Sequence, residues 1–442
     1  MSSDYRTAPV DPVSAARLAE NGLELALVDT DDAAAFTRWL ESETRGFHGP
    51  QMNDREKEQQ VAGLGKRRST GVFDATAADD TYPVATVSSW PLQLTVPGES
   101  SVGAWAISAV TVSPTHRRRG VARALLEAEL RTAHSLGLPL AALTVSEATI
   151  YGRYGFAPAS TSVDLEITTA RAKWASAVSS GRLHAVSPQS LRDEGLELVE
   201  RVRLRTPGQV QFDGNLWLRL LGIIGDPEAA RKLRAVRYDD LDGVLQGFGI
   251  YSVTETGTNF SAHRIDLSYL VTATDDAYSA IWQFLLEMDL VSSIVAPMRA
   301  LDEPLAWQVA DQRAVKTTER RDHLWVRVLD VKAALEARRY NALGEFVLDV
   351  SDPLGFAAGR FVLSVDADGA GTVTALPADA SAPADAIAIS LSVIELGAIY
   401  LGGTSVSTLV RAGRVVELTP DAATRFDSAF RSSAAPWLSI WF

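Results

Sequence analysis

The chain contains no cysteine, and its 442 residues carry only 6 scattered histidines. The first absence excludes disulfides, thiolate catalysis and thiolate metal sites, and the second leaves few nitrogen ligands, so no metal is expected. No apolar run of 18 or more residues occurs, and residues 1–12 are polar. Neither a membrane span nor a secretory signal is therefore expected, and the protein reads as cytoplasmic. Basic side chains are outnumbered, 42 against 55 acidic ones, for a formal charge of −13. That balance makes nucleic acid or an anionic membrane a poor partner and suits a cationic substrate, although an acidic surface also serves solubility.

A hydrophobic share of 46% with 22% charged residues fits a soluble protein, and 442 residues exceed one ordinary core, so two or three domains are expected. The most informative stretch is 107–122. Residues 107–112 are apolar or β-branched and predict a strand buried on both faces. Ser113 and Pro114 end it. Arg117, Arg118 and Arg119 then lead into Gly120, and an apolar helical pattern opens at Val121 and Ala122. A strand, a basic glycine turn and a helix start make an anion site, because the first helical amides are free and glycine lets the main chain approach phosphate.

The helix so opened carries Ala122, Leu126, Leu130 and Ala133 on one face, with Arg123, Glu127 and Arg131 off it and Gly137 as its stop. A strand follows over 140–145. Ser146 and Glu147 close it at the carboxyl edge, where an open α/β sheet gathers ligand groups; either also reads as the N-cap of the helix leading to Tyr151. Upstream, helical spacing covers 13–21 and 31–43, the second behind Asp31 or Asp32. Residues 44–53 read as a loop, 71–75 and 84–96 as strands, and 97–98 as a turn. Downstream, strands are expected at 165–168, 233–238, 245–253 and 264–273, with helices at 189–205 and 277–288. The strand, loop and helix near 269–277 repeat the earlier pattern, but Asp275 and Asp276 stand where arginine and glycine would be, and carboxylates repel a pyrophosphate. A third region holds strands at 344–350 and 359–365, a Pro/Ala/Asp loop at 376–384, and a helix at 421–430. The last eight residues, A-P-W-L-S-I-W-F, are mostly apolar, which predicts a docked terminus.

H-R-R-R-G with Ala122, then Tyr151 ahead of Gly155 and Phe156, resembles the GNAT superfamily of acyl-CoA-dependent N-acyltransferases. The whole chain resembles the Eis (enhanced intracellular survival) family. The further points of resemblance are L-T-V-P-G-E at 94–99, Ser146-Glu147 with I-Y-G-R at 150–153, A-A-L-E-A-R at 333–338, G-E-F at 344–346, I-Y-L-G at 399–402, and the aromatic terminus. The resemblance implies an α/β (α+β) architecture of tandem GNAT-like domains with mixed central sheets, followed by a sterol-carrier-protein-like α+β domain. Boundaries are expected at 1–164, 165–320 and 321–442. It implies acetyl-CoA as co-substrate, polycationic amines such as aminoglycosides as acceptors, and a homohexamer.

Carried over position by position, Val110, Thr111 and Val112 would pair their main chain with the pantetheine. Arg118, Arg119, Gly120, Val121, Ala122 and Arg123 would hold the pyrophosphate through their amides and the Arg118 head, with Arg117 nearby, and Ser146 and Glu147 would flank the cofactor. Tyr151 would be the general acid and the α-carboxylate of Phe442 the general base. By residue type alone, Tyr151 also reads as a structural aromatic, like Tyr154, and residues 437–442 as a core plug. Two departures from the best-known members are Gly46, where a carboxylate is expected, and Thr144, where they have histidine. The alternatives are a protein-lysine N-acetyltransferase and a non-catalytic acyl-CoA or lipid carrier.

Overall fold

The computed structural model describes residues 5–257, 262–377 and 380–442. The first four residues of the polar N-terminal segment, and residues 378–379 of the expected 376–384 loop, lie outside the described residues. Two compact units emerge: Met1–Ala159 with Leu324–Arg431 and Phe442, and Ser160–His323 with Ser432–Trp441.

In the first unit, strands β1 (Leu23–Leu27), β2 (Arg68–Asp74), β3 (Ala85–Val96), β4 (Ser100–Val112), β5 (Leu140–Thr144) and β6 (Ala157–Pro158) share a sheet with a late strand, Leu324–Val328. This late strand lies between β5 and β6, antiparallel to both. The expected boundaries at 164/165 and 320/321 consequently fall inside strands of the second unit, Thr161–Thr168 and Val315–Asp322.

Helix Ala33–Gly46 is capped by Asp32, whose carboxylate accepts from the amides of Ala34 and Ala35 at 2.9 and 3.1 Å. It runs through Gly46, so the expected 44–53 loop starts three residues late. A helix follows at Asp54–Leu64, closed by an Asn53/Glu56 capping box. Helix Val121–Ser135 packs Leu126, Leu130 and Ala133 into the core and stops where Gly137 takes φ +74°. Glu127, expected off the apolar face, is buried, because Arg17, Arg123 and Arg131 all reach its carboxylate.

Strand β4 pairs with β5 in parallel only at Ala104–Ala106. Its register against β3 slips by one residue between Ser108 and Thr111, where Ala109 takes φ +54°. Such a bulge bends a strand away from its neighbour. The end of β4 therefore splays, and of residues 107–112 only Ile107 and Thr111 are buried, not the whole run as the apolar pattern predicts.

The second unit holds one sheet of seven strands: β7 (Thr161–Thr168), β8 (Arg182–Val186), β9 (Arg234–Asp239), β10 (Leu245–Thr254), β11 (His263–Thr272), β12 (Val291–Arg299) and β13 (Val315–Asp322). Helix Asp275–Leu286 buries Ala277, Ile281, Trp282 and Leu285 in its core. Strands β11 and β12 are parallel and pair only through Asp266 and Val295, then part.

The late strand Leu324–Val328 is β14. Beyond it the first unit adds a second sheet, in the order β17 (Gly371–Leu376), β16 (Gly359–Val365), β15 (Gly344–Ser351), β18 (Ile387–Ser392), β19 (Val416–Glu417), with helix Ala422–Phe430. Arg327 of β14 joins this region to the first sheet: buried, it forks onto Asp352 at 2.7 and 2.8 Å and donates to the Tyr154 carbonyl at 2.9 Å. Removing one partner of such a pair costs about 3–5 kcal/mol.

Candidate active site

A cleft of about 570 Å³ opens beside the splayed end of β4. Val112, Arg117, Arg118 and the start of helix Val121–Ser135 form one wall, and Arg153, Tyr154, Pro353 and Leu354 form another. The loop enters with Arg118 at φ +63° and Gly120 at φ +77°. A left-handed arginine costs roughly 1–2 kcal/mol, so the surrounding structure must hold it there. Among the described residues no side chain caps the helix, so the amides of Val121, Ala122 and Arg123 lack a helical acceptor, and a Cβ on Gly120 would meet nothing within 4 Å. Uncapped amides beside two exposed arginines fit a pyrophosphate.

Arg119 does not join them. Its guanidinium donates to the Asn21 carbonyl at 3.2 Å and lies 4.0 Å from Asp74, and Arg119 does not line the cleft. The Arg119 side chain is thus a structural anchor, which leaves the pyrophosphate role expected of this residue to its main-chain amide. Arg123 lines the cleft but spends its charge on Glu127 at 2.6 Å. Burial alone would raise the Glu127 carboxyl, but hydrogen bonds from Arg123 and Arg17 outweigh it and hold it below its ordinary value. The one carboxylate in the cleft is thereby neutralised.

Past Ala106 the edge of β4 facing β5 has no strand partner among the described residues, and Val110, Thr111 and Val112 lie on this stretch. Thr111 pairs with Thr86 of β3, and their hydroxyls meet at 2.7 Å. Ser146 and Glu147 are exposed beyond β5; Glu147 takes the N-cap position of helix Ala148–Tyr151 without a side-chain cap bond.

Tyr151 ends that helix, buried, with its ring edge-on to Phe156 at 6.3 Å. Burial, with Glu147 nearby, raises its phenol above the ordinary value, so it holds its proton at neutral pH. Gly155 turns the chain at φ +85°, and a Cβ there would sit 2.5 Å from Arg327 Nε. Tyr154, not Tyr151, lines the 570 Å³ cleft.

Phe442 belongs to the same unit. The Thr144 hydroxyl, at the carboxyl end of β5, donates to an oxygen of its main-chain carboxyl at 3.0 Å. The Phe442 ring packs edge-on to Trp90 at 5.9 Å, and Trp90 carries Arg67 on its face at 3.7 Å. Spacing gave no warning of the Thr144 contact, which joins residues 298 apart.

The strap before Phe442 is docked as expected, in the second unit. Trp437 donates its indole N–H to the Met298 carbonyl at 2.7 Å, Ser439 bonds Gln209 at 2.9 Å, and His323 Nε2 meets the Ile440 carbonyl at 2.7 Å. Trp441 is the exception at 41% exposed, lying over His323.

The chain matches the acetyltransferase (GNAT) domain over residues 30–159, a second acetyltransferase (GNAT) domain model over 208–329, and the sterol carrier protein domain over 331–439. An N-acetyltransferase Eis of Mycobacterium tuberculosis is 35% identical over 77% of this chain and 81% of its own length. The chain belongs to the Eis family of GNAT N-acetyltransferases. An uncharacterized N-acetyltransferase of Streptomyces avermitilis is 34% identical over 91% of this chain and 96% of its own. The crystal structure of Eis1 from Mycobacterium abscessus superposes with a TM-score of 0.77 at 31% identity, over 95% of this chain and 100% of that one.

Two GNAT domains and a sterol-carrier-like domain thus make up this acetyltransferase, and the GNAT fold implies an acyl-CoA co-substrate. Among the described residues no helix is long and apolar enough to cross a membrane, and no cluster of three or more His, Asp or Glu could hold a metal.

Proposed function

We propose that this Eis-family enzyme transfers acetyl from acetyl-CoA to amino groups of polycationic amines such as aminoglycosides, with Tyr151 as general acid and the Phe442 α-carboxylate as general base. The cofactor set is Val110, Thr111 and Val112 on the pantetheine, the amides of Arg118 through Arg123 with the Arg118 head on the pyrophosphate and Arg117 nearby, and Ser146 and Glu147 flanking. The observation that carries the reading is the Phe442 carboxyl on Thr144, at the end of the strand leading to Tyr151. An alkylammonium has a pKa of about 10, so a carboxylate must take its proton before the nitrogen attacks. The C–N bond then forms as the C–S bond breaks, and the buried phenol returns a proton to the departing thiolate. The products are an N-acetyl amine and free CoA.

The acidic balance supports a cationic acceptor. In this reading the sterol-carrier-like domain runs on into the strap and so supplies the base. The resemblance implies a homohexamer, and the exposed Leu301 and Trp307 support association. Release of free thiol from acetyl-CoA with neomycin as acceptor tests the activity. Tyr151→Phe lowers kcat about 100-fold with unchanged acetyl-CoA affinity, whereas Tyr154→Phe falls far less. The reverse order reassigns the acid to the tyrosine that lines the cleft.

A further inference from the structure

His116 is the one buried side chain of the loop between β4 and its helix, among exposed Arg117, Arg118, Arg119 and Gly120. Both of its ring nitrogens are held. Nδ1 lies 2.8 Å from the Thr115 hydroxyl, itself 2.9 Å from that of Ser113, and Nε2 lies 3.0 Å from Asp74 Oδ2. Asp74 ends β2, across the sheet, and its other oxygen accepts from the amide and hydroxyl of Thr76 at 2.8 and 2.6 Å. The oxygen on His116 also lies 4.0 Å from Arg119. One carboxylate therefore grips two residues of the loop, one on each side of Arg117 and Arg118.

We propose that Asp74 and His116 are positioning residues that hold the acyl-CoA phosphate loop in its binding shape. Neither is offered as a contact to the pyrophosphate; they act through Arg118 and the amides behind Gly120. The strained φ of Arg118 gives the clamp its purpose, because an unheld arginine leaves the left-handed region and takes the amide cradle out of register. The clamp also sorts the arginines. Arg119 is drawn toward Asp74 and away from the cleft, while Arg117 and Arg118 keep their charge for an anion. Hydrogen bonds from His116 and Thr76 hold the Asp74 carboxyl well below the usual range, so this anchor stays ionised through the working pH.

This inference rests on acyl-CoA as co-substrate and not on the choice of acid or base. The test compares two donors, acetyl-CoA and acetyl-pantetheine, which carries the same thioester without a pyrophosphate. In Asp74→Ala and His116→Ala the KM for acetyl-CoA rises about tenfold or more, kcat at saturation stays within about twofold, and kcat/KM for acetyl-pantetheine is unchanged. Asp74→Asn keeps one acceptor oxygen for His116 but not the charge toward Arg119, and recovers part of the loss. An equal fall with both donors marks general damage to the fold and overturns the proposal, as does an unchanged KM for acetyl-CoA. A wild-type enzyme that does not prefer acetyl-CoA to acetyl-pantetheine removes the phosphate loop itself from the site, a separate failure with its own signature.

Discussion

The two GNAT domains use one scaffold to opposite ends. In each, a bulged strand pairs with a parallel neighbour for a few residues and then parts from it, β4 from β5 and β11 from β12, and a helix follows the bulged strand. In the first, the helix start is uncapped behind a left-handed glycine and faces a cleft of about 570 Å³. In the second, Thr274 caps the Ala277 amide at 3.2 Å, and Asp275 and Asp276 sit in the first turn. Asp276 also bonds Tyr238 and Ser180, so the positive helix end is already met by the chain's own carboxylates. The second splay encloses only about 210 Å³, walled in part by Ala434, Ala435, Trp437 and Ser439 of the strap. The gap between strands is common to both; the chemistry at the helix start suits an anion in only one of them.

The largest effect expected from breaking this contrast is at Gly120. Gly120→Glu puts a carboxylate where the free amides converge. Acetyl-CoA affinity falls by about 100-fold or more, since one like charge at short range offsets several hydrogen bonds. The fold survives, because open space surrounds the new Cβ and the φ of +77° adds only roughly 1–2 kcal/mol of strain. Titration calorimetry reads both the affinity and the stoichiometry. A full-strength CoA site left in the variant would lie elsewhere, and the distinction between the two domains would collapse.

A smaller effect sharpens the other side. Trp437→Ala removes the indole N–H on Met298 and the ring that carries Arg299 at 5.2 Å. For a ring that is half-buried the loss is about 2–3 kcal/mol of unfolding free energy, below the full-core range. Acetyl-CoA affinity stays at wild type and, on the proposal that the Phe442 carboxylate is the base, turnover falls because the strap carries it. Unchanged turnover alongside lower stability would make the strap a plug of the second splay only.

Local features of this contrast were legible in the sequence. The strand, arginine loop and helix at 107–135 are contiguous, and the aspartates at 275–276 stand in line with the arginines. What escaped is non-local or lacks a pattern. Strand β14 is five residues, four of them apolar, and nothing in L-W-V-R-V says that it returns to the first sheet between β5 and β6. Strand β13 reads V-K-T-T-E-R-R-D and is mostly exposed at a sheet edge, so no alternation marks it. The helix at Asp54–Leu64 did carry a signal, Asn53 three residues before Glu56, which the loop reading passed over. Arg119 could not be told from its neighbours until Asp74 was placed beside it.

The smallest effect concerns the other end of the strap's anchorage. His323 is fully buried, and a carbonyl can only accept, so Nε2 carries the proton in its bond to Ile440. Nδ1 has no partner among the described residues. Protonation would bury a second N–H with nothing to receive it, and burial accordingly lowers the imidazole below its ordinary value. The folded pKa thus lies beneath the unfolded value of about 6.5. Above about pH 6.5 both states are neutral and the contact contributes in full. As the pH falls below that, the unfolded chain binds the proton first, and stability drops until the folded value is passed. His323→Gln keeps an amide donor for Ile440 but does not titrate. At pH 8 it melts slightly lower than wild type, by about 1–2 °C, for loss of the ring under Trp441. At pH 5 the gap closes or reverses, because only the wild type now pays for protonation. Every other titrating group is common to the two proteins, so the change in the gap isolates His323. A gap that stays constant from pH 8 to pH 5 means that this histidine binds protons equally well folded and unfolded, and the strap's hold on Ile440 is indifferent to acid.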